Sequence, residues 1–314
     1  MTAAAALPAG SRRVLAGIAL VVGAAACFSA LDTTTKAVSH AVPLLMALWF
    51  RYAFQAVATT ALVLPLRGVR VLRTRHPLFQ LLRGALLLGS SLFAFASLRY
   101  MPVGEFTAIV MIAPLAVTLL AATVLKEHVS PLRWALVIGG FLGTLVIIRP
   151  GGEGFTWAAL LPLGLVGTNA CFQILTSKLA RTENPETMHL YTGWVGTAVA
   201  TLLLPLGWAE LPPGGLWAAL CFMGLMATVG HFMLILAFQR APASTLTPYL
   251  YTQIGFAMLG GWLVFNHLPD GWSLAGMALI ALCGAGGAWL TMREFSPPSP
   301  PRPSSPPPGR RGEP

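Results

Sequence analysis

Charge is scarce in this chain. Ten acidic residues and twenty Lys and Arg are all that 314 residues hold, while 56% of the residues are hydrophobic. A water-soluble fold needs more polar surface than that to cover itself, so a soluble domain is excluded. The four cysteines, Cys27, Cys171, Cys221 and Cys283, each lie inside an apolar run without metal-type or redox spacing. They read as small buried hydrophobes, with no disulfide framework or thiolate site. Also lacking are a Gly-rich phosphate loop ending in Lys-Ser/Thr, a His-Glu-x-x-His and a Gly-x-Ser-x-Gly. Their absence argues against an ATP-driven pump, a membrane metalloprotease and an α/β-type hydrolase. No catalytic residue, metal ligand or cofactor is assigned. The cations outnumber the acids but are not gathered on amphipathic or aromatic-laced elements, so nucleic acid is not expected as a partner.

What the chain does have is length in its apolar runs. From Phe106 to Leu125, twenty residues pass without a formal charge. At ~1.5 Å per residue such a run crosses a ~30 Å hydrocarbon core. Ten apolar spans are read, at 14–36, 43–66, 77–99, 103–125, 132–149, 156–178, 187–207, 215–239, 243–266 and 271–291, with Arg51, Arg83 and Arg149 intruding in the second, third and fifth. The connections are short and leave no room for a soluble domain. The lead at 1–13 is read as cytoplasmic, and the Pro/Arg-rich tail at 294–314 as disordered. The fold class is therefore an all-α polytopic membrane protein.

The design of Pro102–Trp134 returns 140 residues later. Pro102 falls on Pro242, Thr107 on Thr247, Leu119 on Leu259, Val124 on Val264, and Glu127 on His267. Ala26-Cys27-Phe28 recurs as Ala170-Cys171-Phe172. The chain reads as two copies of a five-helix unit, at 14–149 and 156–291. Five is odd, so the second copy enters the membrane from the opposite side, as two inverted repeats. Such a pair can open to either side of one central site, which points to transport.

Orientation follows the positive-inside rule. With both termini cytoplasmic, the inner segments collect Arg12, Arg13, Arg67, Arg70, Arg73, Arg75, Lys126, Arg133, Lys178, Arg181, Arg240 and the tail arginines. The outer edges keep Arg99 and Arg149.

Polar residues inside the spans need an explanation, because a charge there costs at least ~2.5–3.5 kcal/mol on the insertion scale. Asp32 and Lys36 share a face of the first span. Arg51 lies in the second span and Arg83 in the third. Asp32 and Arg51 belong to the outer half and are expected to meet, either as a structural ion pair or in a water-filled cavity. An Asp32–Lys36 pair is also within reach, and Lys36 and Arg83 could instead snorkel. The second copy offers Asn169, Gln173, Tyr191, Trp194, His231, Tyr249, Tyr251 and Gln253. From these the candidates for a substrate path are Asp32, Arg51, Arg83, Gln173, Tyr191, Trp194, His231, Tyr251 and Gln253. Each second-copy residue also has a plainer reading as an interhelical hydrogen bond or an interface aromatic. Gly139 and Gly143, with Gly284, Gly286 and Gly287, permit close helix approach, either for scaffold packing or for contact in a homodimer. Pro114 and Pro248 remove backbone hydrogen bonds and are expected to set kinks.

Several of these motifs together resemble an EamA-type member of the drug/metabolite transporter superfamily, over about residues 14–291. They are Asp32 with Lys36, the Trp-Phe-Arg-Tyr of Trp49–Tyr52, Leu-Leu-Arg-Gly at Leu81–Gly84, Met101–Ile109 and Lys126–Ser130. The first copy is similar to the branch that includes S-adenosylmethionine and riboflavin uptake proteins. The resemblance implies ten helices in two inverted repeats, a central cavity from helices 1–4 and 6–9, and helices 5 and 10 as scaffold. The second copy departs from the family pattern: Phe265-Asn266-His267-Leu268-Pro269 stands where relatives commonly carry Phe-Gly-Glu-x-Pro.

The function expected is a secondary transporter of small organic metabolites in a bacterial-type inner membrane, working by alternating access. Its partners would be the substrate and the lipid bilayer. The excess of cations over anions among the candidates favours anionic, zwitterionic or aromatic substrates. Two other classes compete: a membrane-embedded enzyme acting on lipid-linked substrates, and a partner subunit without transport of its own.

Overall fold

In the computed structural model, residues 9–100, 106, 109–148, 160–207, 214–266 and 271–294 are described. Among them no strand occurs, and ten α-helices longer than a single turn follow one another. They are α1 (Ala9–Val38), α2 (Leu44–Arg67), α3 (Pro77–Tyr100), α4 (Ala113–Thr123), α5 (Pro131–Ile148), α6 (Leu160–Leu179), α7 (Pro185–Leu203), α8 (Gly214–Phe238), α9 (Thr252–Phe265) and α10 (Gly271–Glu294). Five apolar segments, Arg12–Val38, Leu44–Leu72, Pro77–Tyr100, Leu160–Leu179 and Gly214–Phe238, are each long enough to cross a bilayer. Pro102, Glu105, Thr107, Arg149, His267, the first eight residues and the tail beyond Glu294 lie outside the described residues.

Proline sets many of the starts. Pro77, Pro131 and Pro185 are the first residues of their helices, and Pro43 directly precedes α2. Proline fits there because its fixed φ suits a first turn and its missing N–H would find no intrahelical partner. Proline also breaks spans four and nine. A turn at Met111–Ile112 precedes α4, whose second residue is Pro114. The ninth span enters as a helical turn, Ala243–Leu246, and a 3₁₀ stretch, Thr247–Tyr251, around Pro248 before α9 begins. The two ends of these spans agree in a finer detail. Lys126 and Asn266, 140 residues apart, both have φ of 54°, and no other non-glycine among the described residues has a positive φ.

Polar and charged side chains are buried among the apolar ones inside the bundle, and large apolar side chains face outward: Arg83 is fully buried and Arg51 nearly so, whereas Leu66 and Leu202 are more than three-quarters exposed. Apolar outer faces suit a protein whose solvent is hydrocarbon. Helix packing crosses between the halves: α1 lies along α8 and α9, α2 along α7 and α8, α3 along α6 and α7, α4 along α6, and α5 along α10. Exchanging every helix with the one five places on carries this set of packings into itself. α5 and α10 pack so closely that a Cβ on Gly143 would sit 2.9 Å from Ile280 and 3.0 Å from the Gly276 carbonyl, and one on Gly139 would sit 2.7 Å from the Cys283 sulfur. The G-x-x-x-G face is thus occupied within the chain.

Candidate functional site

A cavity of about 130 Å³ lies inside the bundle. α1, α2, α3, α6, α8 and the segments around α4 and α9 supply its walls, and α5, α7 and α10 supply none. On α1, Phe28 and Asp32 are four residues apart, and on α6, Asn169 and Gln173 repeat that spacing. Each pair therefore presents one face. Arg51 enters from α2, Ser90 and Ser91 from α3, His231 from α8 and Gln253 from α9.

Gln253 Nε2 donates to the Asp32 carboxylate at 3.0 Å. Gln253 reaches it from the first turn of α9. The helix begins there because the Pro248 segment is wound as 3₁₀. Arg51 is held differently. Its guanidinium donates to Ser91 Oγ at 2.8 Å and to His231 Nε2 at 3.2 Å, and it lies 5.1 Å from the centre of the Tyr52 ring. Ser91 Oγ donates to the Leu87 carbonyl and receives Arg51 and the Tyr52 hydroxyl, so its hydrogen-bonding capacity is filled. A guanidinium can only donate, so His231 is neutral with its proton on Nδ1.

The expected meeting of Asp32 and Arg51 is not found. Both face the cavity, but no ion pair within 4.0 Å joins them; the carboxylate takes Gln253 and the guanidinium takes Ser91 and His231. Lys36 does not pair with Asp32 either, because its ammonium donates to the Leu98 carbonyl at the end of α3. Burying a cation against a carbonyl and a hydroxyl is available without bringing the opposite charge into contact.

Of the nine candidate residues, Asp32, Arg51, Gln173, His231 and Gln253 surround this cavity. The other four lie elsewhere. Arg83 neither snorkels nor lines the cavity; it is buried between α3 and α7, donating to the Met188 carbonyl and to Gln80 Oε1, with its guanidinium 5.7 Å from the centre of the Phe172 ring. Tyr191 ties α7 to the 3₁₀ turn after α2 through the Leu72 carbonyl. Trp194 is about half exposed and donates to Thr60 on α2, as a residue on an outer helix face would. Tyr251 packs with Met111, Val137, Ile254 and Ile280. Ser91 and Phe172 also line the cavity; a serine in a long helix carries no distinguishing signal in sequence, and Phe172 is marked there only as part of the repeated Ala-Cys-Phe triplet.

Three atoms of cavity-lining residues are buried without a hydrogen-bond partner: the donors Arg51 Nε and His231 Nδ1, and the acceptor Gln173 Oε1. Buried polar atoms left this way cost about 1–3 kcal/mol each. The volume is below the ~300–1,000 Å³ of most small-molecule sites, so a metabolite needs the walls to part.

The end of the bundle where α1 starts is drawn shut. Glu127 pairs with Arg181 at 2.7 Å and accepts from the Ser244 N–H. Arg67 pairs with Glu186, Glu183 accepts from Thr74 and the Arg75 N–H, and Arg13 donates to the Gln239 carbonyl.

Known proteins resemble this chain in sequence and in fold. The EamA-like transporter family matches residues 15–149. A riboflavin transporter of Rhizobium johnstonii is 31% identical over 85% of this chain and 89% of its own length. An S-adenosylmethionine uptake transporter of Rickettsia felis is 27% identical over 74% of this chain and 78% of its own. A pseudopaline exporter of Pseudomonas aeruginosa is 26% identical over 85% of this chain and 93% of its own. One crystal structure, 21% identical, has the same fold, with a TM-score of 0.72 over 93% of this chain and all of the other.

Proposed function

The chain belongs to the EamA-like transporter family, and from that premise we propose that it is a secondary transporter of the inner membrane working by alternating access. That it is a membrane transporter of small metabolites, and not an enzyme, follows from the family. The observation that carries the finer reading is the cavity. Charged and amide side chains from both halves converge there inside a bundle whose outer faces are apolar. A structural core would bury Leu or Phe in that volume, because each polar group placed there costs free energy that only a polar occupant or water returns.

In this reading residues 14–149 and 156–291 are inverted repeats. The exchange-symmetric packing and the shared backbone geometry of Lys126 and Asn266 support it. The end closed by Glu127–Arg181 and Arg67–Glu186 faces the cytoplasm, as the excess of Lys and Arg there supports. The conformation is then closed inward, with the cavity on the outer side of that closure. Transport requires the ion pairs to part as the outer half closes. The Arg51 guanidinium and the amides of Gln173 and Gln253 on the cavity wall suit an organic anion, a zwitterion or a polar heterocycle.

The test is flux into sealed proteoliposomes, beginning with radiolabelled riboflavin and S-adenosylmethionine, the compounds named for the relatives. The expected result is saturable uptake or exchange that Arg51→Gln abolishes while leaving the purified yield intact. Equal flux in protein-free vesicles, across those compounds and a wider set of organic anions, would overturn the reading.

A further inference from the structure

Below the cavity the polar faces of its walls do not end. On α2, Arg51 is followed at four-residue steps by Gln55 and Thr59, each step about 6 Å further along one face. On α3 the face that carries Ser91 continues through Leu87 to Arg83 and Gln80, and on α6 the face of Gln173 continues to Thr176. All of these except Leu87 are polar, and each step lies nearer the end closed by Glu127–Arg181. His189 joins them from α7, with its Nδ1 3.4 Å from Gln55 Nε2. Gln55, Gln80, Arg83 and Thr176 are fully buried, and Thr59 and His189 nearly so. Every one of these six also has a side-chain atom without a hydrogen-bond partner: Gln55 Oε1, Thr59 Oγ1, Gln80 Nε2, Arg83 Nη1, Thr176 Oγ1 and His189 Nε2.

A permanently packed helix interface does not tolerate that. Six unpaired polar atoms in one region would each cost about 1–3 kcal/mol, against apolar residues that would cost nothing. Polar side chains have a reason to stand here if the region is wet in another conformation, where water or a solute pairs these atoms. Phe172 separates the two regions: its ring lines the cavity and touches His231, and the Arg83 guanidinium lies against it.

We infer that Gln55, Thr59, Gln80, Arg83, Thr176 and His189 form a second, inner chamber, collapsed here, that opens to the cytoplasm and takes the anionic group of the substrate on Arg83. The inference rests on the transport reading and narrows it to solutes bearing a carboxylate or phosphate. Arg51 and Arg83 then act in series, with Phe172 as the septum between them. Arg83 is the only charged side chain among the six. A low-dielectric cleft lined by one sign of charge concentrates the opposite ion by about tenfold or more.

The test uses the full-length protein with its four cysteines replaced, carrying Thr59→Cys in the inner region or Ala94→Cys in the cavity wall, in membrane vesicles of both orientations. The probes are the anionic sulfonatoethyl and the cationic trimethylammonioethyl methanethiosulfonates, each rate normalised to that with free 2-mercaptoethanol. The expected result is that Thr59→Cys reacts from the cytoplasmic side, about tenfold or more faster with the anion. Arg83→Gln should abolish that preference and Arg83→Lys should keep it. An unreactive Thr59→Cys beside a reactive Ala94→Cys would mean a permanent interface, overturning the inner chamber and leaving the transport reading in place. Reaction without anion preference would overturn the assignment to Arg83; this outcome needs no Arg83 variant, so it stands even where Arg83→Gln does not fold. Silence at both positions would overturn the transport path itself and this inference with it.

Discussion

Phe28 and Phe172, the last residues of the two Ala-Cys-Phe triplets, meet on one imidazole: their ring centres lie 4.7 and 5.7 Å from that of His231. The triplets sit in α1 and α6, and α8 delivers the histidine between them. The ring is thereby fixed with Nε2 on Arg51 and Nδ1 unpaired. Replacing His231 by Ala removes an acceptor from a buried guanidinium, and should lower stability by about 1–3 kcal/mol. His231→Gln keeps an acceptor and should recover much of it. Thermal unfolding in detergent reads both, and equal losses would show that Arg51 does not depend on this contact.

Ser91 holds Arg51 and Tyr52 at once. Ser91→Ala strands both donors, whereas Ser91→Ala with Tyr52→Phe strands only one. The double variant is expected to be more stable than the sum of the two single losses, with a coupling of about 0.5–3 kcal/mol in a double-mutant cycle. Strict additivity would mean that the serine is not their shared acceptor.

Asp32 depends on Gln253 and not on direct contact with Arg51. A cycle on Asp32→Ala and Gln253→Ala should show clear coupling, larger than the cycle on Asp32→Ala and Arg51→Gln. Gln253→Glu places a second carboxylate beside the first and should reduce transport at neutral pH more than Gln253→Ala does. The reverse order of the two cycles would restore an Asp32–Arg51 pair in the working protein.

Glu127 joins Arg181 to the Ser244 backbone across the closed end. Because Arg181 is half exposed, the ion pair itself contributes little stability. Its loss should show in conformation instead. Glu127→Gln is expected to raise the reactivity of a Ser244→Cys thiol several-fold from the side of the termini. An unchanged rate would mean that the contact does not hold this end shut.

Lys126 adopts a left-handed backbone, which costs a residue with a side chain about 1–2 kcal/mol. Lys126→Gly should leave the fold equally stable or stabilise it by up to about 1 kcal/mol, and Lys126→Val should destabilise it. Equal melting temperatures for the two variants would contradict the geometry.

Reporter fusions after Ser39, Met101, Gly152, Gly215 and Asp270 are expected on the outer face. A cytoplasmic signal at two or more of them would reverse the orientation drawn from the cations.

The helices were legible in the sequence because hydrocarbon leaves a backbone one option: a run of about twenty apolar residues must satisfy its own hydrogen bonds as helix. The spans expected at 14–36, 77–99 and 215–239 therefore lie inside α1, α3 and, to within one residue, α8. The prolines at 114 and 248 likewise announced the breaks before α4 and α9, because a missing N–H acts locally. Asp32, Arg51, Gln173, His231 and Gln253 stood out for a related reason, as polar groups too costly to face lipid. Which of the polar residues would share a cavity was beyond the sequence. Arg51 and Arg83 look alike as single arginines in apolar runs, yet one faces the cavity and the other lies buried against Met188 and Phe172. The partners of Asp32 and Arg51 were equally out of reach, since Gln253 and His231 lie 221 and 180 residues away. Local hydropathy fixes what must leave the lipid; the rotation and packing of each helix against the opposite half decide where it goes.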